Sequence, residues 1–259
     1  MEIRLIVQAD DFGMTHGCNL AVEDCYQNGI LTCTSLMAPA PWAEEAAGIA
    51  RANPGLCVGA HLTTLCEWRN YRWRPVLPYS QVKSLVDENG FLHQTPGNFF
   101  ANPIDFDQLE REFMAQMDLL SNKWGVDLGY VDYHYINGKP QGIPEYNQVM
   151  QRVAAAYGLP LLGDLGFGRL PGISGAKPED KAATFAAGIE NLKPGVWRSL
   201  HHLLQDDPES HAITFFDPAV TPPGGTALHR YTETAVLKNP DIKKIIEKRG
   251  IRLVTYREL

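Results

Sequence analysis

The sequence IRLIVQADDFGMTHGCN (residues 3–19) begins as a buried strand and stops on two acids, Asp10 and Asp11. Adjacent carboxylates repel each other. Keeping both ionised beside buried apolar surface costs free energy unless a cation or strong hydrogen-bond donors neutralise them. A strand that ends this way therefore marks a site.

Working outward, similar short apolar runs recur: LTCTSLMAP (31–39), LCVGAHLTT (56–64), LGYVDYHY (128–135), LPLLGDLG (159–166), GVWRSLHHL (195–203) and IRLVTYREL (251–259). Between them, apolar residues at i, i+3, i+4 spacing predict helices over about 17–28, 42–52, 107–124, 144–157, 178–191 and 231–249. Strands alternating with helices imply a parallel sheet with right-handed crossovers. Seven strands, with an eighth that cannot be placed, predict an α/β fold of the distorted parallel β/α barrel type, TIM-barrel-like. An open dinucleotide-binding sheet is the alternative, but no GxGxxG turn follows the first strand.

Two stretches break the rhythm. EWRNYRWRPVLPYSQVKSLVDENGFLHQTPGNFFAN (67–102) reads as an insertion after the third strand, long enough to fold over the barrel mouth. FFDPAVTPPGGTALHR (215–230) is a second rim loop. No repeat or linker divides the chain, so residues 1–259 are expected to form one domain.

With 259 residues, 44% hydrophobic and 20% charged, the chain can bury a full core. Its formal net charge of −7 argues against nucleic acid or anionic lipid as partner and favours a neutral small substrate. The five cysteines, Cys18, Cys25, Cys33, Cys57 and Cys66, show no CxxC spacing and read as reduced core thiols. No secretory leader or membrane-spanning run is visible, which predicts a cytoplasmic protein with no membrane partner.

In a parallel barrel the carboxyl ends of the strands share one face, where residues distant in sequence converge. Asp10, Asp11, His61, Asp132, His134, His201 and His202 all fall where an apolar run gives way to a loop. Two imidazoles and one carboxylate suffice for a divalent metal with a coordination position left open. Such an ion would hold one of the two aspartates and leave the other free as a base. Each residue alone has an ordinary reading too, the histidines as hydrogen-bonded strand ends and the aspartate pair as a helix cap before the Gly13 turn. His16, His93, His211 and His229 read as surface or capping residues.

ADDFGMTHGCNLAV resembles the signature of the YdjC-like carbohydrate deacetylases, the family that includes chitooligosaccharide deacetylase. GAHLTT resembles its second motif and YVDYHYIN its third, an Asp-x-His. LKPGVWRSLHHLLQDDPE resembles a late motif ending in His-Pro, and HRYTETAVLKNPDIKKIIEKRGIRLVTYREL the closing helix and strand. HLTTLCEWRNYRWRP resembles a subgroup with Glu-Trp and Arg-Trp-x-Pro after the second motif. Leu203 stands where the family has proline, and Ile136 where a variant of the third motif has a second histidine.

The resemblance implies a metal-dependent hydrolase removing the N-acetyl group from a sugar or oligosaccharide. It implies one divalent ion, zinc or magnesium, on Asp11, His61 and His134, with Asp10 as base. Ungapped counting from Gly195 selects His202 as the late-motif histidine and proton donor, with His201 as fallback. Asp132 is expected behind a metal-bound imidazole, and Trp68, Tyr71 and Trp73 as flat faces for a sugar ring. A homodimer is the family-style expectation. Competing readings are another metal-dependent barrel enzyme, a sugar isomerase or phosphoesterase, and a carbohydrate-binding or regulatory barrel without catalysis.

Overall fold

The first strand is the axis of the molecule. In the computed structural model, which describes residues 2–136 and 143–259, β1 (Ile3–Phe12) is buried almost throughout. Parallel strands covered on both faces read as near-continuous apolar runs, which is why this segment was legible. The chain continues through α1 (His16–Asn28), β2 (Cys33–Leu36), α2 (Ala43–Ala52), β3 (Cys57–Leu62), α3 (Pro96–Phe100), α4 (Phe106–Asp118) and β4 (Leu128–Tyr133). It then runs through α5 (Pro144–Ala156), β5 (Gly168–Arg169), α6 (Lys181–Glu190), β6 (Gly195–His202), α7 (Pro208–Ala212), α8 (Gly225–Leu237), α9 (Pro240–Lys248) and β7 (Arg252–Leu253).

The strands form one parallel sheet in the order β4-β3-β2-β1-β6-β5. One edge of β1 pairs with β6 from Ile3↔Gly195 to Asp10↔His202. The other edge is shared, with β7 at Arg4 and Leu5 and β2 from Gln8 onward. The sheet curls into a half-barrel, the distorted barrel that the alternation of runs predicted. Beyond β4 the pairing continues as a single parallel bridge, Val131↔Leu161. Among the described residues no ladder joins Leu161 to β5, so the barrel stays open there.

Two expectations need correction. The run at 159–166 forms that one bridge and a 3-10 turn at Leu162–Asp164, and the strand itself falls later, at Gly168–Arg169. A Cβ on Gly168 would lie 2.5 Å from the Trp197 ring, so glycine is what allows β5 to approach β6. The long helix expected over 231–249 begins earlier and is two helices, α8 and α9. Pro240 has no N–H to continue the ladder, and Asn239 Oδ1 caps the new start by accepting from the Asp241 N–H at 2.8 Å.

The insertion is ordered by its own core, with Val82, Leu85, Leu92 and Phe99 fully buried. The buried Glu112 carboxylate of α4 accepts the backbone N–H groups of Val76 and Leu77 at 2.8 and 2.9 Å, tying the insertion down. Its first residues pair with the second rim loop as a short antiparallel ribbon. Arg69 N–H donates to Thr214 O at 2.8 Å, Phe216 N–H donates to Glu67 O at 2.7 Å, and Trp68 stands opposite Phe215. All five cysteines are buried thiols, as expected from their spacing. No helix among the described residues is long and apolar enough to cross a membrane.

Candidate active site

Successive side chains of a strand point to opposite faces, so Asp10 and Asp11 should diverge. They do not, because Asp11 adopts φ +69° at a register shift near the end of β1. Asp tolerates this left-handed region better than most residues. The turn is then fixed: Met14 N–H donates to Asp11 O at 3.0 Å, and Gly13 N–H donates to Asn19 Oδ1 at 2.8 Å. Gly13 itself has φ +94°, and a Cβ there would lie 2.9 Å from the Ala43 Cα. Both carboxylates consequently face one cavity of about 640 Å3 at the carboxyl ends of the strands, which His61, Asp132, His134 and His202 also line.

The aspartates, His61 and His134 form a tight cluster. His61 Nε2 lies 3.7 Å from Asp11 Oδ1 and 3.9 Å from Asp10 Oδ2. His134 Nδ1 lies 3.1 Å from Asp11 Oδ1. Donor atoms of Asp11, His61 and His134 all fall within 4.8 Å of one another, and all three residues are buried. A second grouping, Asp10, His61 and Asp132, meets the same limit. It shares His61, however, whose Nδ1 is already engaged with Asp132 Oδ1 at 2.5 Å.

The remaining ring nitrogens decide whether the first grouping fits an ion. His61 Nδ1 is held by Asp132, and His134 Nε2 lies 2.8 Å from Glu67 Oε2. A carboxylate behind each imidazole fixes its orientation and raises its basicity, the usual support for a metal-bound histidine. Each ring is left with one nitrogen turned toward Asp11. The donor set, two nitrogens and one oxygen, suits a divalent ion with room for further ligands.

Electrostatics agree with a site built for a cation. Burial alone would raise the Asp11 carboxyl, but Arg230, at 2.7 Å from Oδ2, and His134 hold it well below the usual carboxylate range. Burial opposes protonation of His134, yet Glu67 and Asp11 push it up to about 9. Burial likewise opposes His61, and the charges of Asp132 and Asp10 carry it well above the ordinary imidazole value.

Beneath the cluster lies Gln8, fully buried in β1. Its amide nitrogen reaches Asp10 Oδ1 at 2.6 Å, Asp132 Oδ2 at 2.9 Å and Ser35 Oγ at 3.0 Å, while Tyr256 donates its hydroxyl to Gln8 Oε1. Asp10 and Asp132 are thereby positioned by one neutral donor.

Strand alternation turns the two adjacent histidines to opposite faces of β6. Arg198, Leu200 and His202 line the cavity, whereas Ser199 and His201 turn to the opposite face of β6. His201 is buried against Phe185, with Nε2 near Ser199 Oγ and Nδ1 3.3 Å from Glu233 Oε2. Glu233 also accepts from the His202 N–H at 3.3 Å and pairs with the fully buried Lys181 at 2.9 Å.

The aromatic residues expected to meet substrate do not line the cavity. Trp73 is buried behind His134, its Nε1–H donating to Leu65 O at 3.1 Å, and Tyr71 donates its hydroxyl to Met14 O at 3.0 Å. Trp68 is buried beneath Phe215. These three buttress the site from outside. His229, expected on the surface, is buried at the cavity wall with Nε2 3.1 Å from Pro223 O. Glu67, Arg230 and Gln8 had no assigned role. The six-residue interval from His61 to Glu67, within HLTTLCEW, was the available signal for the first; nothing local marks the other two.

Residues 4–248 match the sequence profile of the YdjC-like proteins. The chain belongs to the YdjC-like family. Relatives of this YdjC-like chain include a carbohydrate deacetylase from Geobacillus stearothermophilus, 29% identical over 98% of this chain and 96% of that one. A chitooligosaccharide deacetylase from Yersinia pestis is 30% identical over 99% of each. Among solved structures, an Enterococcus faecalis protein provisionally described as a cellobiose-phosphate cleavage protein superposes with a TM-score of 0.78 at 24% identity, covering 100% of this chain and 99% of that one. A lactam utilization protein from Thermus thermophilus does so at 0.52 and 15%, covering 98% and 99%. At these identities the YdjC-like chain shares a fold with both.

Proposed function

We propose that the protein is a metal-dependent carbohydrate N-deacetylase, hydrolysing the acetamido group of an N-acetylated sugar or short oligosaccharide. The observation that carries this reading is the convergence of Asp11, His61 and His134, each imidazole backed by its own carboxylate, in a cavity large enough for a sugar. The names of the full-length relatives, carbohydrate and chitooligosaccharide deacetylases, support it.

Amide hydrolysis needs a nucleophilic water, stabilisation of developing oxyanion charge and a proton for the departing amine. A divalent ion, zinc or magnesium, held by Asp11, His61 and His134 would supply Lewis acidity toward the acyl oxygen and lower the pKa of a bound water. Asp10, hydrogen-bonded to Gln8 at 2.6 Å, accepts the proton of the attacking water. His202, on the neighbouring strand and facing the same cavity, donates a proton to the sugar nitrogen as the C–N bond breaks. Asp132 and Glu67 keep the two imidazoles in orientation.

The test is acetate release from N-acetylglucosamine oligomers by protein whose metal content has been measured. Turnover that disappears with a chelator and returns with zinc or magnesium is expected. Acetate release from none of the N-acetylated sugars, with activity instead on sugar phosphates, would overturn the reading.

A further inference from the structure

Phe215 is the one residue of the short ribbon 67–70/214–216 that presents an aromatic ring to the cavity, and three observations say how it is held. First, it lies on Trp68 with ring centroids 4.5 Å apart and planes inclined by 18°, a stacked pair that fixes the ring's tilt. Second, Trp68 is buried although its Nε1–H has no acceptor among the described residues. Burying a donor without a partner costs free energy, so the indole position is set by its faces and not by its nitrogen. Third, the Arg230 guanidinium stands over the indole at 5.3 Å and reaches on to Asp11 Oδ2 at 2.7 Å.

These contacts make one continuous column, Phe215 on Trp68, Trp68 against Arg230, Arg230 on Asp11. Its far end is the acid expected to ligate the ion. Its near end is an apolar aromatic ring at the cavity wall. Trp68 occupies one face of the Phe215 ring, and the half-buried ring lines the cavity. The negative face of an aromatic ring attracts the polarised C–H bonds of a pyranose, whose axial hydrogens form an apolar face of matching size.

We propose that Phe215 is the sugar-stacking platform of this site and sets its preference for a pyranose ring presenting an unsubstituted C–H face. The inference deepens the carbohydrate reading and rests on it. Phe215 binds and orients the sugar, and takes no part in proton transfer. Because the column ends on Asp11, the platform is registered against the reacting centre through packed side chains and not through the loop backbone alone.

Two variants test this, Phe215→Leu, which keeps apolar volume but loses the flat face, and Phe215→Tyr, which keeps the face. Each is compared with wild type, loaded with zinc, for turnover of N,N′-diacetylchitobiose and for calorimetric binding of its fully deacetylated product, which cannot turn over. Stacking of this kind is worth roughly five- to tenfold in affinity. F215L should raise KM and the product dissociation constant by about that factor, with kcat within about twofold, while F215Y stays near wild type. Unchanged constants in F215L, or equal losses in both variants, would overturn the proposal and leave the deacetylase reading standing. Wild type that neither releases acetate nor binds the product would overturn both.

Discussion

Asp10 and His202 are register partners across the β1–β6 ladder, and both face the cavity that holds the His61 and His134 rings. Neighbouring parallel strands thus bring a carboxylate and an imidazole to one side of the cluster without any loop having to position them. In the proposed mechanism this arrangement would separate the two proton-transfer roles from the ion-holding one. Asp10→Asn should abolish turnover while leaving metal content intact. Simultaneous loss of metal would mean that the two aspartates exchange roles.

His201 and His202 are adjacent but lie on opposite faces of β6, so their substitutions should part company. His202→Ala removes a group at the cavity and should lower kcat by roughly 10²–10⁴-fold, the usual worth of a positioned acid, with little change in melting temperature. His201→Ala leaves Ser199 and Glu233 facing a void and should lower the melting temperature while kcat stays within a few-fold. The opposite pattern in paired kinetics and melting curves would assign the proton donor to His201.

Glu67 and Asp132 each hold one of the two imidazoles, and would act on the proposed ion only through those rings. Glu67→Gln and Asp132→Asn keep a hydrogen-bond acceptor but lose the charge that makes each ring a better donor. Each should weaken metal affinity by roughly 10–100-fold, read by competition against a chromophoric chelator. Affinity unchanged in both would remove the case for an ion between these histidines.

Arg230 neutralises an acid that is buried with it. Removing one member of such a pair leaves an uncompensated charge and costs about 3–5 kcal/mol. For Arg230→Met this means a drop of roughly 10 °C in the melting temperature of chelator-treated protein. Because a bound cation gives Asp11 another counter-charge, added zinc should recover part of the loss. A deficit identical with chelator and with zinc would argue that Arg230 acts through its packing on Trp68.

What could be read in advance follows from where the information sits. Strands β1 to β4 announce themselves because burial on both faces demands apolar runs, and Asp11, His61 and His134 stand out as polar residues at the ends of those runs. β5 is two residues long and is defined by its pairing with Trp197 and Arg198 of β6, so no local pattern carries it. The break before Pro240 was locally visible, yet apolar periodicity on both sides spoke for one helix. Arg230 meets Asp11 across 219 positions, and only the folded chain brings them together. Trp68, Tyr71 and Trp73 were legible as aromatics of the rim, but composition cannot tell a ring that faces the cavity from one that supports it. Phe215, placed by its pairing with Trp68, shows the difference.

Burial would raise the Glu233 carboxyl, but His201 and Lys181 hold it down to about 2, against an ordinary value of 4.5. A depressed folded-state pKa stabilises the fold above the unfolded value, and that stabilisation is lost as pH falls through the folded one. The window is therefore about pH 4.5 down to about 2. The interval corresponds to up to about 3 kcal/mol, present in full at neutral pH. Glu233→Gln has no charge to lose, so its deficit relative to wild type should be near that figure at pH 6 and shrink toward zero by about pH 2. Urea denaturation across the window measures it. A gap that stays constant with pH would mean that the carboxylate contributes shape and hydrogen bonds to the wall behind His202, and that its charge is balanced equally well in the unfolded chain.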